Sequence, residues 1–365
     1  MLTRSSLQKA TSISSNNMIH ILGAGAMGCL VAQELSSFPT PPAVTLLFRN
    51  EEKSHTFRTV QDSTIQIKRL FPSEQPITKY QYLASSPKEQ TTPIETLFVS
   101  TKTYQTKPAL EPYLPLITPQ TNILLIQNGL GVVEELYRDV WPDISQRPQL
   151  WQGVINHGAY LEPVAAGEVG LGVTHAGLGD LFIARVPRDL AHPEKDNEDQ
   201  AVWADQLVSA EGLVCKKLQY SDLLVKQVKK FIVNICVNSS TAILDCLNGE
   251  VAVEGTESLY RSIITEAINV LFTTKPILST NELSQTELDI EKLVSFVIEV
   301  ATVWHGKNSS SMRQDTVNLR DTEVDYLTGF IVTQAQEIGS TAPVCSVVSD
   351  LVRMRLGVNR IRASA

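Results

Sequence analysis

The chain has 365 residues, enough for two domains, and its apolar and charged fractions are those of an ordinary globular protein with a sizeable core. A net charge of −8 without any long like-charged block excludes the electrostatic footprint of a nucleic-acid or anionic-membrane binder, leaving a small molecule as the expected partner. The five cysteines are dispersed without CxxC or Cys/His pairing, which argues against a metal site or a disulfide framework and for a reducing compartment. No apolar run reaches the roughly 18 residues that a bilayer span requires.

In chain order, residues 1–17 carry Arg4, Lys9, no acid and many hydroxyl side chains. That is the composition of a disordered tail or of a mitochondrial targeting segment, so the expected location is cytoplasmic or mitochondrial. MIHILGAGAMGCLVAQEL follows: a short apolar strand, then Gly23, Gly25 and Gly28 in GxGxxG spacing, then a helical pattern. In a Rossmann unit the first glycine makes a tight turn and the second admits a pyrophosphate. The third lets helix pack on strand, and the helix N-terminus faces the phosphates. The loop Gly23, Ala24, Gly25, Ala26, Met27 and Gly28 is therefore the expected cofactor-binding turn.

The next strand, Ala43 to Phe48, ends in Arg49. An acid at this place would hold the ribose 2′-hydroxyl of NAD, whereas an arginine accommodates the 2′-phosphate, so NADP(H) is the expected cofactor. Two further strand-like runs end in polar residues: IETLFVSTKTYQ at Lys102 and TNILLIQNGLG at Gln127, Asn128 and Gly129. The carboxyl ends of strands in a doubly wound sheet are where ligands bind, although turn chemistry alone also favours Asn-Gly there. WQGVINHGAYLEP and GVTHAGLGDLFIA read as additional strands that extend the sheet, with His157 and His175 as structural residues. Residues 187–203 are charged and proline-containing, a surface loop leading into a helix. A boundary near Asp222 divides the expected NADP-binding domain, 18–221, from a helical substrate domain, 222–365.

From Leu223 onward helical periodicity replaces strand alternation, which gives an α/β Rossmann-type domain followed by an all-helical one. In VKKFIVNICVNSST, Lys230, Asn234 and Asn238 recur every four residues and share one helix stripe. Asparagine is a poor helix former and unpartnered burial of these groups costs several kcal/mol, about as much as a lost buried hydrogen bond or more. Apolar neighbours confine the stripe to a narrow seam, which suits the wall of an interdomain cleft. CLNGEV supplies Asn248, Gly249 and Glu250 on a turn, and NSSSMRQDTVNLRDTEVDYLTG supplies Ser311, Asp315 and Glu323. Taken singly, each of these has a structural explanation, such as capping.

Together, GAGAMG, TK at Lys102, NG at Asn128, KxxxNxxxN from Lys230, NGE at Asn248 and SMRQDTVNLRDTEVDYLTG resemble the ketopantoate reductase family, in that family's order, from about Ile19 to beyond Pro343. The resemblance implies an NADPH-dependent 2-dehydropantoate 2-reductase, an oxidoreductase acting on CH–OH in the route to pantothenate and coenzyme A. It implies Lys230 and Glu323 as catalytic residues, and Asn234, Asn238, Asn248 and Ser311 as substrate contacts. Cofactor contacts would be the Gly23–Gly28 loop, Arg49, Lys102 and Asn128. The protein would be a monomer or homodimer without a metal. Two departures stand out: Ser239 lies where the family often has proline, and residues 188–200 look inserted. A reductase of another branched 2-oxo acid, or a non-catalytic NADP-binding scaffold, would share most of these features.

Overall fold

The computed structural model describes residues 18–192 and 201–364; the expectations for residues 1–17 and for 193–200 lie outside the described residues. The chain divides into two compact units. One contains the residues up to Thr101 with Gln105–Gln127 and Trp141–Lys217; the other contains Lys102–Tyr104, Asn128–Val140 and the residues from Leu218 onward.

Among the described residues the first unit has twelve strands in two sheets. The larger is ordered β12-β11-β8-β7-β6-β1-β2-β5. Its strands are β1 (Met18–Leu22), β2 (Ala43–Leu47), β5 (Leu83–Ser85), β6 (Thr96–Val99), β7 (Asn122–Leu125), β8 (Gln149–Ile155), β11 (Leu181–Arg185) and β12 (Cys215–Lys217). From β5 through β8 all neighbours are parallel, and β11 turns antiparallel to β8. With β1 at the centre and the chain winding outward first to one side and then to the other, this is the doubly wound arrangement of a dinucleotide-binding sheet. Ile21, Leu46, Phe98 and Leu124 are fully buried, as strands covered on both faces require.

The smaller sheet is ordered β4-β3-β10-β9, from β3 (Thr64–Arg69), β4 (Thr78–Gln81), β9 (Gly158–Leu161) and β10 (Leu171–Gly177). This corrects one expectation: β8 and β11 extend the main sheet, whereas β9 and β10 leave it and pair with β3 and β4. The reason is side-chain polarity. Most of β9 is exposed, and Lys68 and Arg69 of β3 are charged, so these strands suit a sheet with one wet face rather than a position covered on both faces. The helix Ala26–Ser36 packs against strands of both sheets, which explains why Gly28–Leu35 is buried without a break. The one acid carried into that burial, Glu34, is paired with Arg69 of β3.

His157 and His175 meet in this unit. Nδ1 of His157 lies 3.0 Å from Nε2 of His175, and Nε2 of His157 lies 3.0 Å from the Leu213 carbonyl oxygen. Burial, reinforced by His157 and Arg69, lowers the His175 pKa to about 4, and burial alone lowers that of His20 on β1 to about 4.

The second unit is helical. Its core gathers Phe231, Ile232, Tyr260, Ile264, Leu293, Ile331 and Val352 from helices Tyr220–Val233, Thr256–Thr274, Ile290–Glu299, Thr328–Glu337 and Pro343–Ser364. The carboxylate of Glu266 accepts hydrogen bonds from the N–H groups of Val344 and Cys345, both at 2.9 Å, and so caps the last helix. Asn128–Val140 is tied into this unit by the Lys275–Glu134 ion pair and by the Tyr326 hydroxyl, which donates to Glu135 at 2.6 Å. Gln227 adds a hydrogen bond to the Gly129 carbonyl at 3.2 Å. No helix among the described residues is long and apolar enough to cross a membrane.

The two depressed histidines fix a pH window. Their folded pKa values of about 4 lie below the ordinary 6.5, so the unfolded chain takes up protons first as pH falls. Their stabilisation is complete above pH 6.5 and is lost as pH approaches 4. Melting temperatures should decline across that window, and His20→Leu should make the decline shallower; equal slopes for variant and wild type would contradict this.

Candidate functional site

The turn after β1 uses its glycines in three different ways. Gly23 has φ +110°, and its carbonyl accepts a hydrogen bond from the Ser100 hydroxyl at 2.7 Å, which pins the turn to the end of β6. A Cβ on Gly28 would run into the Gly23 carbonyl oxygen, so the third glycine lets helix and turn interlock. A Cβ on Gly25 would meet open space. Gly25 is also the N-cap of Ala26–Ser36, a helix with no side-chain cap and no acid in its first turn. Its first N–H groups and the positive end of its dipole are therefore available to an anion beside a glycine that no other described residue crowds. Arg49 is exposed directly after β2, ahead of a helix capped by Asn50, whose side chain accepts from the Lys53 N–H at 3.0 Å. These residues fit a dinucleotide: the turn for its pyrophosphate, Arg49 for the far end.

The helical unit builds the second group of candidates into one small pocket. Asn128, Asn234, Asn238, Ser311, Asp315 and Glu323 line it, with Met312 and Leu327 as its apolar walls. The stripe owes its alignment to a change of helix type. Tyr220–Val233 is α-helical, but Asn234–Asn238 forms a π-helical turn before α-helix resumes at Ser239. Four residues overshoot one α turn by about 40°, and the wider π turn undershoots over the next four, so the two steps offset one another. Asn234 and Asn238 consequently adjoin, with Nδ2 of Asn238 donating to Oδ1 of Asn234 at 3.3 Å. Lys230 is half-buried one turn before Asn234, in the last turn of the α-helical part.

Ser311 opens the helix Ser311–Val317, whose N-cap Ser310 accepts from the Arg313 N–H at 3.1 Å. That helix presents Asp315 with its side chain 4% exposed; the Glu323 side chain is 7% exposed. The Lys102 ammonium lies between them, 2.8 Å from Oδ2 of Asp315 and 3.4 Å from Oε2 of Glu323. Arg320 holds the other Asp315 oxygen at 3.1 Å. Burial works against the Lys102 charge, but the carboxylates of Glu323 and Asp315 outweigh it and raise its pKa above the usual lysine range. The Thr103 N–H donates to Oε1 of Glu323 at 2.9 Å. The Thr103 hydroxyl has two acceptors for its single proton, Oε1 of Glu323 at 2.9 Å and the Asn128 carbonyl at 2.7 Å. The backbone donor is thus the constant partner that orients Glu323.

Several candidates are placed differently from the rest. Lys102 and Asn128, expected at the cofactor, belong to the helical unit and its acids. Asn248 does not line the pocket; it begins the 3-10 turn Asn248–Val251, its N–H bonds the Asn308 carbonyl at 3.0 Å, and its buried Oδ1 has no hydrogen-bond partner among the described residues. Asp315, set aside as an ordinary helix-end acid, is the most enclosed charge of the pocket. Thr103 and Arg320 carried no signal: a threonine after a strand and an arginine in a polar loop are unremarkable until Glu323 and Asp315 are seen beside them.

A doubly wound sheet with an anion-ready glycine turn, together with a helical unit holding a polar pocket, defines a two-unit protein of the dinucleotide-binding class. Two family models agree: the ketopantoate reductase PanE/ApbA model matches residues 19–188, and its C-terminal counterpart matches residues 222–356. This chain belongs to the ketopantoate reductase family and is an oxidoreductase acting on a CH–OH group. It is 38% identical to a probable 2-dehydropantoate 2-reductase of Schizosaccharomyces pombe, over 96% of this chain and 99% of the relative. It is 36% identical to the 2-dehydropantoate 2-reductase of Saccharomyces cerevisiae, over 94% of this chain and 96% of the relative. Among solved structures, D-mandelate dehydrogenase with NADH and anilino(oxo)acetate shares the fold, with a TM-score of 0.69 and 20% identity over 94% of this chain and 99% of that one.

The glycine geometry separates two substitutions. Gly28→Ala should destabilise the protein by roughly 1–3 kcal/mol, because the new methyl must displace backbone in a packed site. Gly25→Ala, facing open space, should cost at most about 1 kcal/mol as a cap exchange. Denaturant unfolding of both variants checks the contrast, and equal losses would refute it.

Proposed function

We propose that this protein reduces 2-dehydropantoate to pantoate with NADPH, the step that supplies pantoate for pantothenate and coenzyme A. The observation that carries this is the polar pocket of the helical unit. Three asparagines and Ser311 line it, while Lys102 and Arg320 neutralise its two acids. Without those two cations a pair of buried carboxylates would repel an anionic 2-oxo acid; with them, the substrate carboxylate meets amide and hydroxyl donors and pays no net charge penalty. The names of the two fungal relatives support the choice of substrate.

When bound, the nicotinamide supplies the hydride that reaches the carbonyl carbon. The residues of the chain manage the charge this creates. Lys230 hydrogen-bonds the carbonyl oxygen, stabilises the negative charge that develops there and donates its proton to it. Asn234, Asn238 and Ser311 hold the carboxylate and hydroxyl of the substrate. Glu323, oriented by the Thr103 N–H, accepts a hydrogen bond from the substrate hydroxyl. The Gly23–Gly28 turn and the helix behind it hold the pyrophosphate, and Arg49 takes the 2′-phosphate that distinguishes NADPH.

The structural likeness to D-mandelate dehydrogenase gives a second reading, reduction of another branched 2-oxo acid. A panel of 2-oxo acids compared by kcat/KM under NADPH separates the two. Turnover of 2-dehydropantoate no better than that of simple 2-oxo acids would end the first reading. Lys230→Ala should lower kcat by about 10²–10⁴-fold while NADPH affinity changes little, and a near-normal kcat would remove the lysine from its role. Arg49→Ala should raise the KM for NADPH at least tenfold and leave that for NADH almost unchanged, since only the former loses a phosphate contact.

A further inference from the structure

Asn238 and Ser311 line one pocket from different helices, so the spacing of those helices sets what can sit between them. Asn238 ends the π turn, and the chain runs on from it as the helix Ser239–Leu244; Ser311 opens the helix Ser311–Val317. The two α-helices pack on each other, and they meet at a pair of hydroxyls: Oγ1 of Thr241 lies 2.7 Å from Oγ of Ser310. Thr241 is 0% exposed and Ser310 6%, so the contact is shut off from water. It sits three residues after Asn238 on one side and one residue before Ser311 on the other. We propose that Thr241 is a positioning residue for the substrate: through Ser310 it fixes the gap between Asn238 and Ser311, and with it the seat of the 2-oxo acid carboxylate.

The protons of this pair have one arrangement that satisfies every group. Ser310, as the helix N-cap, accepts from the Arg313 N–H at 3.1 Å, and its own proton has no acceptor among the described residues except Thr241. The Thr241 hydroxyl in turn donates to the Val237 carbonyl at 2.8 Å, nearer than the Asn238 carbonyl at 3.2 Å. A directed chain results, from the Arg313 N–H through Ser310 and Thr241 to a carbonyl of the π turn. Reversing the central bond would leave the Ser310 proton buried and unused, which a dry interior penalises. The chain therefore holds the start of one helix against the turn that carries Asn238, with a fixed direction at every bond.

Two further observations separate this role from packing and capping. Capping alone needs only an acceptor, which aspartate supplies without a proton to place, and valine would fill the Thr241 site without a polar atom. The second is an outer tie between the same helices: Arg313 donates from Nε to Asp245 at 3.0 Å and from Nη1 to the Ser309 hydroxyl at 3.0 Å, and Asp245 ends the Thr241 helix with φ +55°. That tie runs through a long side chain to a carboxylate 38% exposed, where water and salt weaken it. The hydroxyl pair is short and buried, so it sets the gap and the arginine follows. A carboxylate has two oxygens at one separation, and the groups that face it must keep theirs. The inference rests on the reading of Asn238 and Ser311 as substrate contacts.

Steady-state kinetics on a set of variants test this. Thr241→Val keeps the side-chain shape without the hydroxyl and should raise the KM for 2-dehydropantoate by roughly tenfold or more, with kcat and the KM for NADPH within about twofold of wild type. Thr241→Ser keeps the hydroxyl and should restore the KM. Ser310→Gly breaks the link from the other side with a residue that still caps a helix, and it should raise the same KM whether or not Thr241→Val folds. Ser311→Ala should raise the KM as well, and adding Thr241→Val to it should change little further, because nothing is left to position. If Ser311→Ala raises the KM while Thr241→Val and Ser310→Gly leave it alone, this proposal falls and the substrate reading stands; if Ser311→Ala leaves it alone, both fall. A Thr241→Ser variant as impaired as Thr241→Val would make Thr241 a packing residue only and overturn the proposal as well.

Discussion

The site depends on one arrangement of charge: two enclosed carboxylates, Asp315 and Glu323, held around the Lys102 ammonium, with Arg320 behind Asp315. Ions are expensive to take out of water, and two acids in one small pocket are more so unless cations come with them. The chain meets this by grouping Lys102–Tyr104 with the helical unit. The same short segment delivers the Thr103 N–H to Glu323 and a hydroxyl shared with the Asn128 carbonyl. Two consecutive residues, Lys102 and Thr103, thus supply the cation and the backbone donor beside the acid to which a catalytic part is assigned.

Around that cluster the helical unit is rigid where it needs to be. The segment carrying Asn128 is fastened by an ion pair, a tyrosine hydroxyl and a glutamine amide, so its polar side chain is presented from a fixed backbone. Ser311 is placed by a capped helix start, and Asn234 and Asn238 by a helix whose two turn types keep them in line. Asn128 and Glu323 sit on bends rather than in helices, and hydrogen bonds to Gly129 and from the Thr103 N–H hold those bends in place.

Much of this was legible in the sequence, and the exceptions have physical causes. The glycine turn, the apolar parallel strands and the change to helical periodicity after Leu223 are local patterns, and local patterns survive in one dimension. The four-residue stripe foretold a shared face for Asn234 and Asn238 but not the π turn that aligns them, because helix type depends on backbone hydrogen bonds that carry no composition signal. β3 and β4 had no such signal either: TIQIKR and TKYQ are short and polar, and only pairing, of β3 with β10 and of β4 with β3, makes strands of them. Thr103 is far in the chain from Asp315, Arg320 and Glu323, and what matters about it is a meeting. Asn248 shows the converse, since its motif placed it with the others while the fold sets it on a neighbouring turn with an unsatisfied oxygen.

The π turn also bears on the one residue of the stripe segment that departs from the family habit. Ser239 follows the wide turn, and its N–H goes to the Cys236 carbonyl, three residues back, not to the carbonyl four back that a regular helix would use. Its hydroxyl is buried without a partner among the described residues. At this one place in the helix a proline ring would forfeit only a short, irregular bond and would remove an orphaned hydroxyl as well. Serine and proline are therefore near equivalents there: the irregularity that lines up the asparagines leaves the next position tolerant of a residue that the rest of the helix would refuse.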